Sequence, residues 1–208
     1  SGKIISVDND PAMLSVAKEL FAKIDDNDKA RTEWFDCGAE SLNLKPNEID
    51  LCTLLQGPNF LSDPKKVLKG VLGALKPDGR VVASAWDRIE ENKGHFAIAS
   101  ALKKLGVQPA LKPFSMGSPA LLKDIFVGSG FVIENFYTEQ KIISFNSVKE
   151  FVSGVAAGAP ATRHAISQLS LSKYEDFFQM VEELLVDYSS TNGLNLPTQA
   201  HIVQAVPA

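Results

Sequence analysis

Apolar and polar residues fall into alternating blocks along the first half of the chain. Ile4, Ile5 and Val7 form a β-branched run that breaks at Asp8-Asn9-Asp10-Pro11. Met13, Ala17, Leu20, Phe21 and Ile24 then recur at helical spacing. Pro11 suits a first helical position, so Asp10 is the expected N-cap. Asp25-Asp26-Asn27-Asp28 is expected to close the helix as a solvated loop. The pattern predicts a buried parallel strand with an acid at its carboxyl end, feeding a helix. Thr32–Cys37 predicts a second strand and Gly38–Leu42 a loop. Ile49–Leu55 predicts a third strand, apolar enough to be buried on both faces. Asp63-Pro64 is another N-cap and first-turn pair. Val67, Leu68, Val71, Leu72 and Leu75 mark the helix after it. Lys76-Pro77-Asp78-Gly79 stops that helix in a tight turn, and Arg80–Trp86 is the fourth strand.

The second half is less regular. Phe96, Ala99, Leu102 and Leu105 predict a helix ending at Gly106, and Gln108–Gly117 predicts a loop. Ser118-Pro119 opens a short helix with Leu121, Leu122, Ile125 and Phe126 on its apolar side. Phe131–Phe145 carries strand-like residues twice, FVIENFYTEQ and KIISF. Ser147 with Glu150, and Ser172 with Glu175, fit capping boxes. The helix after Ser172 should turn Phe177, Phe178, Val181, Leu184, Leu185 and Tyr188 inward. Asn192-Gly193 is a turn signal, and His201–Val206 a closing strand. Strands alternating with helices predict an α/β fold with a doubly wound sheet.

Composition narrows the function classes. The 208 residues are 45% hydrophobic and 22% charged, ordinary for a globular domain. A net charge of −4 gives no support to a nucleic-acid surface. No apolar run approaches the roughly 18 residues of a membrane span. Cys37 and Cys52 make neither a disulfide framework nor a metal-ligand spacing, so no metal is expected and a reducing cytoplasm is the default. His95, His164 and His201 are scattered, with no carboxylate at suggestive spacing. They read as surface or capping residues, and no catalytic residue is legible.

Five motifs in order carry a resemblance. They are the acid-ended first strand, Gly38-Ala39-Glu40-Ser41-Leu42, Asp50 opening a strand, Leu75-Lys76-Pro77-Asp78-Gly79-Arg80, and Trp86. In this order they resemble the class I S-adenosylmethionine-dependent methyltransferases. The small-molecule branch that includes the ubiquinone and menaquinone C-methyltransferases is the most similar. Pro113–Pro119, Gly128-Ser129-Gly130-Phe131 and Leu196–His201 resemble the same branch. The resemblance implies a Rossmann-like methyltransferase sheet, doubly wound and mostly parallel, with an antiparallel edge strand. It also implies one domain over 1–208. Residues 1–87 would be the remainder of the cofactor-binding half, and 88–208 an acceptor-binding half with a helical cover.

The implied cofactor is S-adenosylmethionine. Asp8 would take its ribose hydroxyls, Asn9 and Met13 would lie near the adenine, and Ala39 would offer the ring a backbone N–H. Leu54, Leu55 and Gln56 would approach the methionine portion. Gly38 departs from the pattern, because the family usually has an acid there. Trp86, Phe114 and Met116 would line the pocket for a small-molecule acceptor. Phe114 is expected on a cover, Leu111–Met116, over the strands' carboxyl ends.

The family also opens with a strand, a Gly-rich turn and a helix, and the turn lets backbone approach the cofactor closely. No such turn occurs here, so the chain reads as an N-terminally truncated fragment. The first and third strands would then have unpaired inner edges. They are expected to pair with each other or to be covered by another chain, as in a homodimer, and the cofactor to bind weakly. The alternative is a non-catalytic methyltransferase-like domain acting as a protein-interaction module.

Overall fold

The computed structural model describes residues 2–25 and 29–208. The chain opens with β1 (Lys3–Asp8), α1 (Pro11–Ala22), β2 (Arg31–Asp36), β3 (Ile49–Leu55), α2 (Pro64–Ala74) and β4 (Leu75–Trp86). It continues with α3 (Lys93–Lys104), α4 (Pro119–Val127), β5 (Phe131–Phe145), α5 (Val148–Gly158), α6 (Pro160–Ser167) and α7 (Leu171–Leu184). It closes with β6 (Ser189–Ser190) and β7 (Gly193–Pro207). Asp26-Asn27-Asp28 of the predicted loop lie outside the described residues.

The local signals mostly act as expected. Asp10 caps α1, accepting from the N–H groups of Ala12 at 2.8 Å and Met13 at 3.4 Å. Asp63 caps α2 through Lys66 N–H at 2.9 Å. Ser147 caps α5, while Glu150 reaches back to Asn146 N–H at 2.7 Å. The second predicted capping box does not form. α7 starts two residues earlier, after Ser170, whose hydroxyl lies 3.1 Å from that of Ser172. The two strand-like runs after Phe131 are one 15-residue strand, bulged between Ile133 and Asn135. The Lys76–Gly79 turn lies within β4, where the register against β3 steps from Ile49↔Leu75 to Leu51↔Arg80.

Two hydrogen-bonded sheets result. β1 and β2 pair in parallel. The larger sheet runs β3-β4-β7-β5, parallel between β3 and β4 and antiparallel across β7, with β6 beside β7. Among the described residues β1 and β3 do not pair with each other, contrary to the first expectation for their inner edges. Two side-chain ties join the sheets instead. Lys3 Nζ at the start of β1 meets Glu48 Oε1, just before β3, at 3.0 Å. At the other end, Glu40 Oε1 accepts from Ser62 N–H at 2.8 Å and from the Ser62 hydroxyl at 2.7 Å. Glu40 follows β2 and Ser62 follows β3, so both sheets turn their carboxyl ends the same way.

The core lies away from these edges. Val81, Ala83 and Ala85 of β4 and Val203 and Ala205 of β7 are buried against α2 and α4. A second cluster joins α3, α5, α6 and α7 around Leu194 and Leu196 of β7. β1 and β3 are not the buried strands that the apolar runs predicted. Ile4 is 47% exposed, Leu51 53% and Leu55 67%. Ile49, Cys52 and Leu54 of β3 pack on the core, while Leu51, Thr53 and Leu55 are exposed.

A buried polar cluster ties the sheet to the loop before α4. The register places His201 of β7 beside Ala85 and Thr138. Its Nε2 lies 3.2 Å from Asp87 Oδ1 and 3.2 Å from the Gly117 carbonyl. Its Nδ1 lies 2.9 Å from the Thr138 hydroxyl. Facing two acceptors, Nε2 carries a hydrogen. Gly117 sits so close to β4's end that a Cβ there would lie 2.5 Å from Arg88 N. Gly117→Ala should therefore destabilise the fold by about 1–3 kcal/mol, as overpacking does. Urea unfolding of the two proteins checks this; an unchanged midpoint would refute the close approach.

Candidate functional site

The carboxyl ends of β1, β3 and β4 are where ligands bind in open α/β sheets. At the end of β1, Asp8 Oδ1 accepts from Asp10 N–H at 2.9 Å, closing a tight turn. Its other carboxylate oxygen has no partner among the described residues. Asn9 is exposed, and Met13 on α1 is 57% exposed. Gly38 is extended at φ −66° and precedes a 3-10 turn over Ala39–Ser41. Ala39 packs in part against the core beneath that turn. Glu40, two residues after Gly38, is held by Ser62. Hydrogen bonds from the Ser62 hydroxyl first, then from backbone N–H groups, pull its carboxyl down to about 2.

The end of β3 carries an unusual residue. Gln56 has φ +55°, a left-handed conformation that costs a non-glycine residue energy. Its N–H is held by the Ser84 carbonyl and hydroxyl, each at 3.0 Å. Its Oε1 is buried without a partner among the described residues, as is Asn59 Oδ1 three residues on. A buried acceptor without a donor is costly. The chain thus presents a partly free carboxylate at β1, which fits a ligand with hydroxyl groups, while the Gln56 amide oxygen is turned inward.

Beyond β4 lies an apolar cavity of about 290 Å³. Trp86 ends β4 and forms one wall. Phe114, on a 3-10 turn over Lys112–Phe114, packs 6.4 Å from it between ring centroids. The Asn59 side-chain amide donates to the Pro113 carbonyl and fixes that turn to the loop after β3. Met116 does not line the cavity; it packs against the core below. A smaller cavity of about 190 Å³ lies beyond Trp86 and His95, bounded by Phe145, Phe151 and Leu196.

The histidines differ from their sequence reading. His201 is 1% exposed and does have a carboxylate neighbour, Asp87. The two are far apart in sequence, and only the β4–β7 pairing brings them together. His95 belongs to both cavities, within ring contact of Trp86, Phe114 and Phe151. Burial pushes its pKa below the usual histidine value. Cys52 is no nucleophile, because burial pushes its thiol up to about 11. Among the described residues no cluster of three His, Cys, Asp or Glu is placed to hold a metal ion.

The sheet order identifies the class. Read across, β2-β1 and then β3-β4-β7-β5, with an antiparallel strand between β4 and the edge, is the Rossmann-like methyltransferase arrangement. A Bacillus halodurans protein assigned as a methyltransferase superposes with a TM-score of 0.63 at 10% identity, over 99% of this chain and 84% of that one. That likeness shows the fold alone.

Residues 1–83 match the methyltransferase domain family. A demethylmenaquinone methyltransferase of Lactococcus lactis is 35% identical over 82 residues, covering 39% of this chain and 31% of that protein. The mitochondrial 2-methoxy-6-polyprenyl-1,4-benzoquinol methylase of Caenorhabditis elegans is 31% identical over 81 residues, covering 39% and 28%. The chain thus spans about a third of the length of the curated relatives it matches.

The His95 shift has a sign that can be measured. The folded pKa lies below the unfolded one, so the unfolded chain takes a proton first as pH falls. The contribution is fully present well above the unfolded value of about 6.5 and is lost below it. Stability should therefore fall between about pH 7.5 and about pH 5.5, and less steeply in His95→Phe. Urea unfolding at both pH values measures the two slopes; equal slopes would contradict the buried placement.

Proposed function

We propose that this chain transfers a methyl group from S-adenosylmethionine to a small-molecule acceptor. One observation carries the reading: a carboxylate oxygen of Asp8 without a partner among the described residues stands at the carboxyl end of β1, on the side of the sheets where an apolar cavity lies at the end of β4. Asp8 binds the ribose hydroxyls, and Asn9, Met13, Gly38 and Ala39 surround the adenine. Leu55 and Gln56 approach the amino-acid end. The bound sulfonium supplies the methyl group. The chain's own part is to hold the acceptor in line and exclude water, and such transfer needs little more.

Residues 1–87 form the cofactor half and 88–208 the acceptor half with its helical cover. Trp86 and Phe114 present flat apolar surface to the acceptor, and Met116 fastens the loop that carries Phe114 to the core. The relatives named for quinone-type substrates support a small aromatic acceptor. The two free cysteines suit a reducing cytoplasm. Among the described residues no helix is long and apolar enough to cross a membrane.

Calorimetric titration with S-adenosylmethionine tests the reading. Asp8→Ala removes charge-assisted hydrogen bonds of about 1.5–3 kcal/mol each, so affinity should drop at least tenfold. Equal affinity of the two proteins would overturn the assignment of Asp8. No binding by either would favour the non-catalytic module.

The inner edges of β1 and β3 favour a second role beside this one. Among the described residues both present unpaired backbone groups, with Leu51 and Leu55 exposed on β3. A second copy of the chain pairing there would cover them. Light scattering at about 50 μM should then return twice the 22.5 kDa chain mass. A mass of one chain would refute the dimer.

A further inference from the structure

We infer that two copies of this chain join through the outer edge of β5, in an antiparallel register centred on Gln140. The inference does not rest on the methyl-transfer reading. It concerns the far edge of the larger sheet from β3, and so a different surface from the inner edges of β1 and β3.

β5 closes the larger sheet, and among the described residues no strand pairs with its outer edge. Its last part runs past β4, whose pairing with β7 ends at Trp86↔Ala200. From Gln140 to Phe145, β5 pairs with β7 alone. Every side chain from Tyr137 to Ser144 is exposed, including the large apolar ones of Tyr137, Ile142 and Ile143. Sheets usually blunt such an edge with a proline, a bulge or a short strand. The bulge of β5 lies at its start, between Ile133 and Asn135. From Asn135 to Phe145 the register is unbroken, and the stretch holds neither proline nor glycine. The stretch of β7 beside it, by contrast, carries Pro197.

Symmetry and charge choose the register. When an edge strand pairs with its own copy about an axis normal to the sheet, facing residues share a face, so the axis passes through a single residue. The bulge-free stretch Asn135–Phe145 has Gln140 at its midpoint, and only an axis there pairs its whole length. That axis also sets Glu139 opposite Lys141 of the other copy, at both symmetry-related positions. An axis through Glu139 sets two carboxylates face to face, and one through Lys141 sets two ammonium groups. Opposite charges directly across a ladder stabilise it, and like charges destabilise it. Within the chain Glu139 faces Ala200 and Lys141 faces Thr198, and neither has an ion-pair partner among the described residues. The same register places Tyr137 opposite Ile143 and Thr138 opposite Ile142. The exposed apolar residues of the stretch thereby gain aromatic or β-branched neighbours. The paired stretches exchange about ten backbone hydrogen bonds, as many as a standard interface carries. Ile143 also lines the smaller cavity, so the other copy's Tyr137 stands at its rim.

The test reverses the two charges one at a time and then together. Light scattering over about 5–100 μM, in about 50 mM salt, follows the parent, Glu139→Lys, Lys141→Glu and the double variant. The parent should exceed the mass of one 22.5 kDa chain. Each single variant sets like charges across both pairs, and its dissociation constant should rise at least about tenfold. The double variant sets opposite charges across both pairs again and should return to within about threefold of the parent. Both positions are exposed and face uncharged residues of β7, so the chain's own fold does not depend on their sign. Where the inner edges of β1 and β3 pair as well, the single variants fall to a dimer and not to one chain. A parent of one chain's mass overturns the inference. Single variants that associate as tightly as the parent overturn it too, and would place the contact elsewhere, as on those inner edges. Weakening that the double variant does not reverse overturns the register and the inference with it.

Discussion

The candidate site depends on one buried polar contact, that between His201 and the end of β4. His201 meets Asp87 and the Gly117 carbonyl through one nitrogen and Thr138 through the other. Each partner lies on a different stretch: Asp87 just after β4, Thr138 on β5, and Gly117 on the loop before α4. A polar group this deep is costly unless every atom is paired, so the ring holds all three at once. Trp86 is then fixed because it precedes Asp87, and Phe114 because it lies three residues before Gly117. The aromatic wall of the cavity is thus set from behind by a residue that never faces it.

A second set of ties governs the cofactor side, and it is weaker in kind. Lys3 with Glu48, and Glu40 with Ser62, join the two sheets through partly exposed side chains. Exposed pairs of this sort contribute little energy each. Their value is geometric: one tie at each end keeps the carboxyl ends of β1 and β3 on the same side. Between them the strands' inner backbone edges are unpaired. The elements from α2 onward share two buried clusters and a buried network, whereas β1 and β2 are joined to the larger sheet by the packing of Ala39 and these two surface ties. Local opening should therefore begin at β1 and β2.

What was legible in the sequence follows from the range of the interactions. Helix starts were legible because caps act over three residues. Asp10, Asp63, Ser118 and Ser147 all accept from the turn that follows them. Ser172 failed because Ser170, two residues earlier, offered a competing start. Most strand positions were legible too, because β-branched runs bounded by turns are local signals, but β7 begins at Gly193, eight residues before the predicted His201–Val206, and β4 at Leu75. Their burial was not. Ile49–Leu55 is as apolar as a central strand, but whether both faces are covered depends on neighbours that no local pattern encodes. The Asp87–His201 contact and the orphaned Gln56 oxygen were hidden for the same reason: each arises from strand register and not from spacing along the chain.

The same reasoning separates the two halves of the functional question. Cofactor recognition in this fold uses strand ends, and a strand end with an acid is a local signal, so Asp8 stands out in the amino-acid sequence alone. The cavity proposed for the acceptor is assembled from β4, α3, the turn at Lys112–Phe114 and the α5–α6 junction. Its lining residues come from elements scattered along about a hundred positions, each ordinary by itself. His95 is the clearest example. In sequence it is one of three scattered histidines. In the fold it becomes the titratable group of an aromatic chamber because α3, α5 and the Phe114 turn converge on it. A fold can host many chemistries, and its chemistry must be argued from the site.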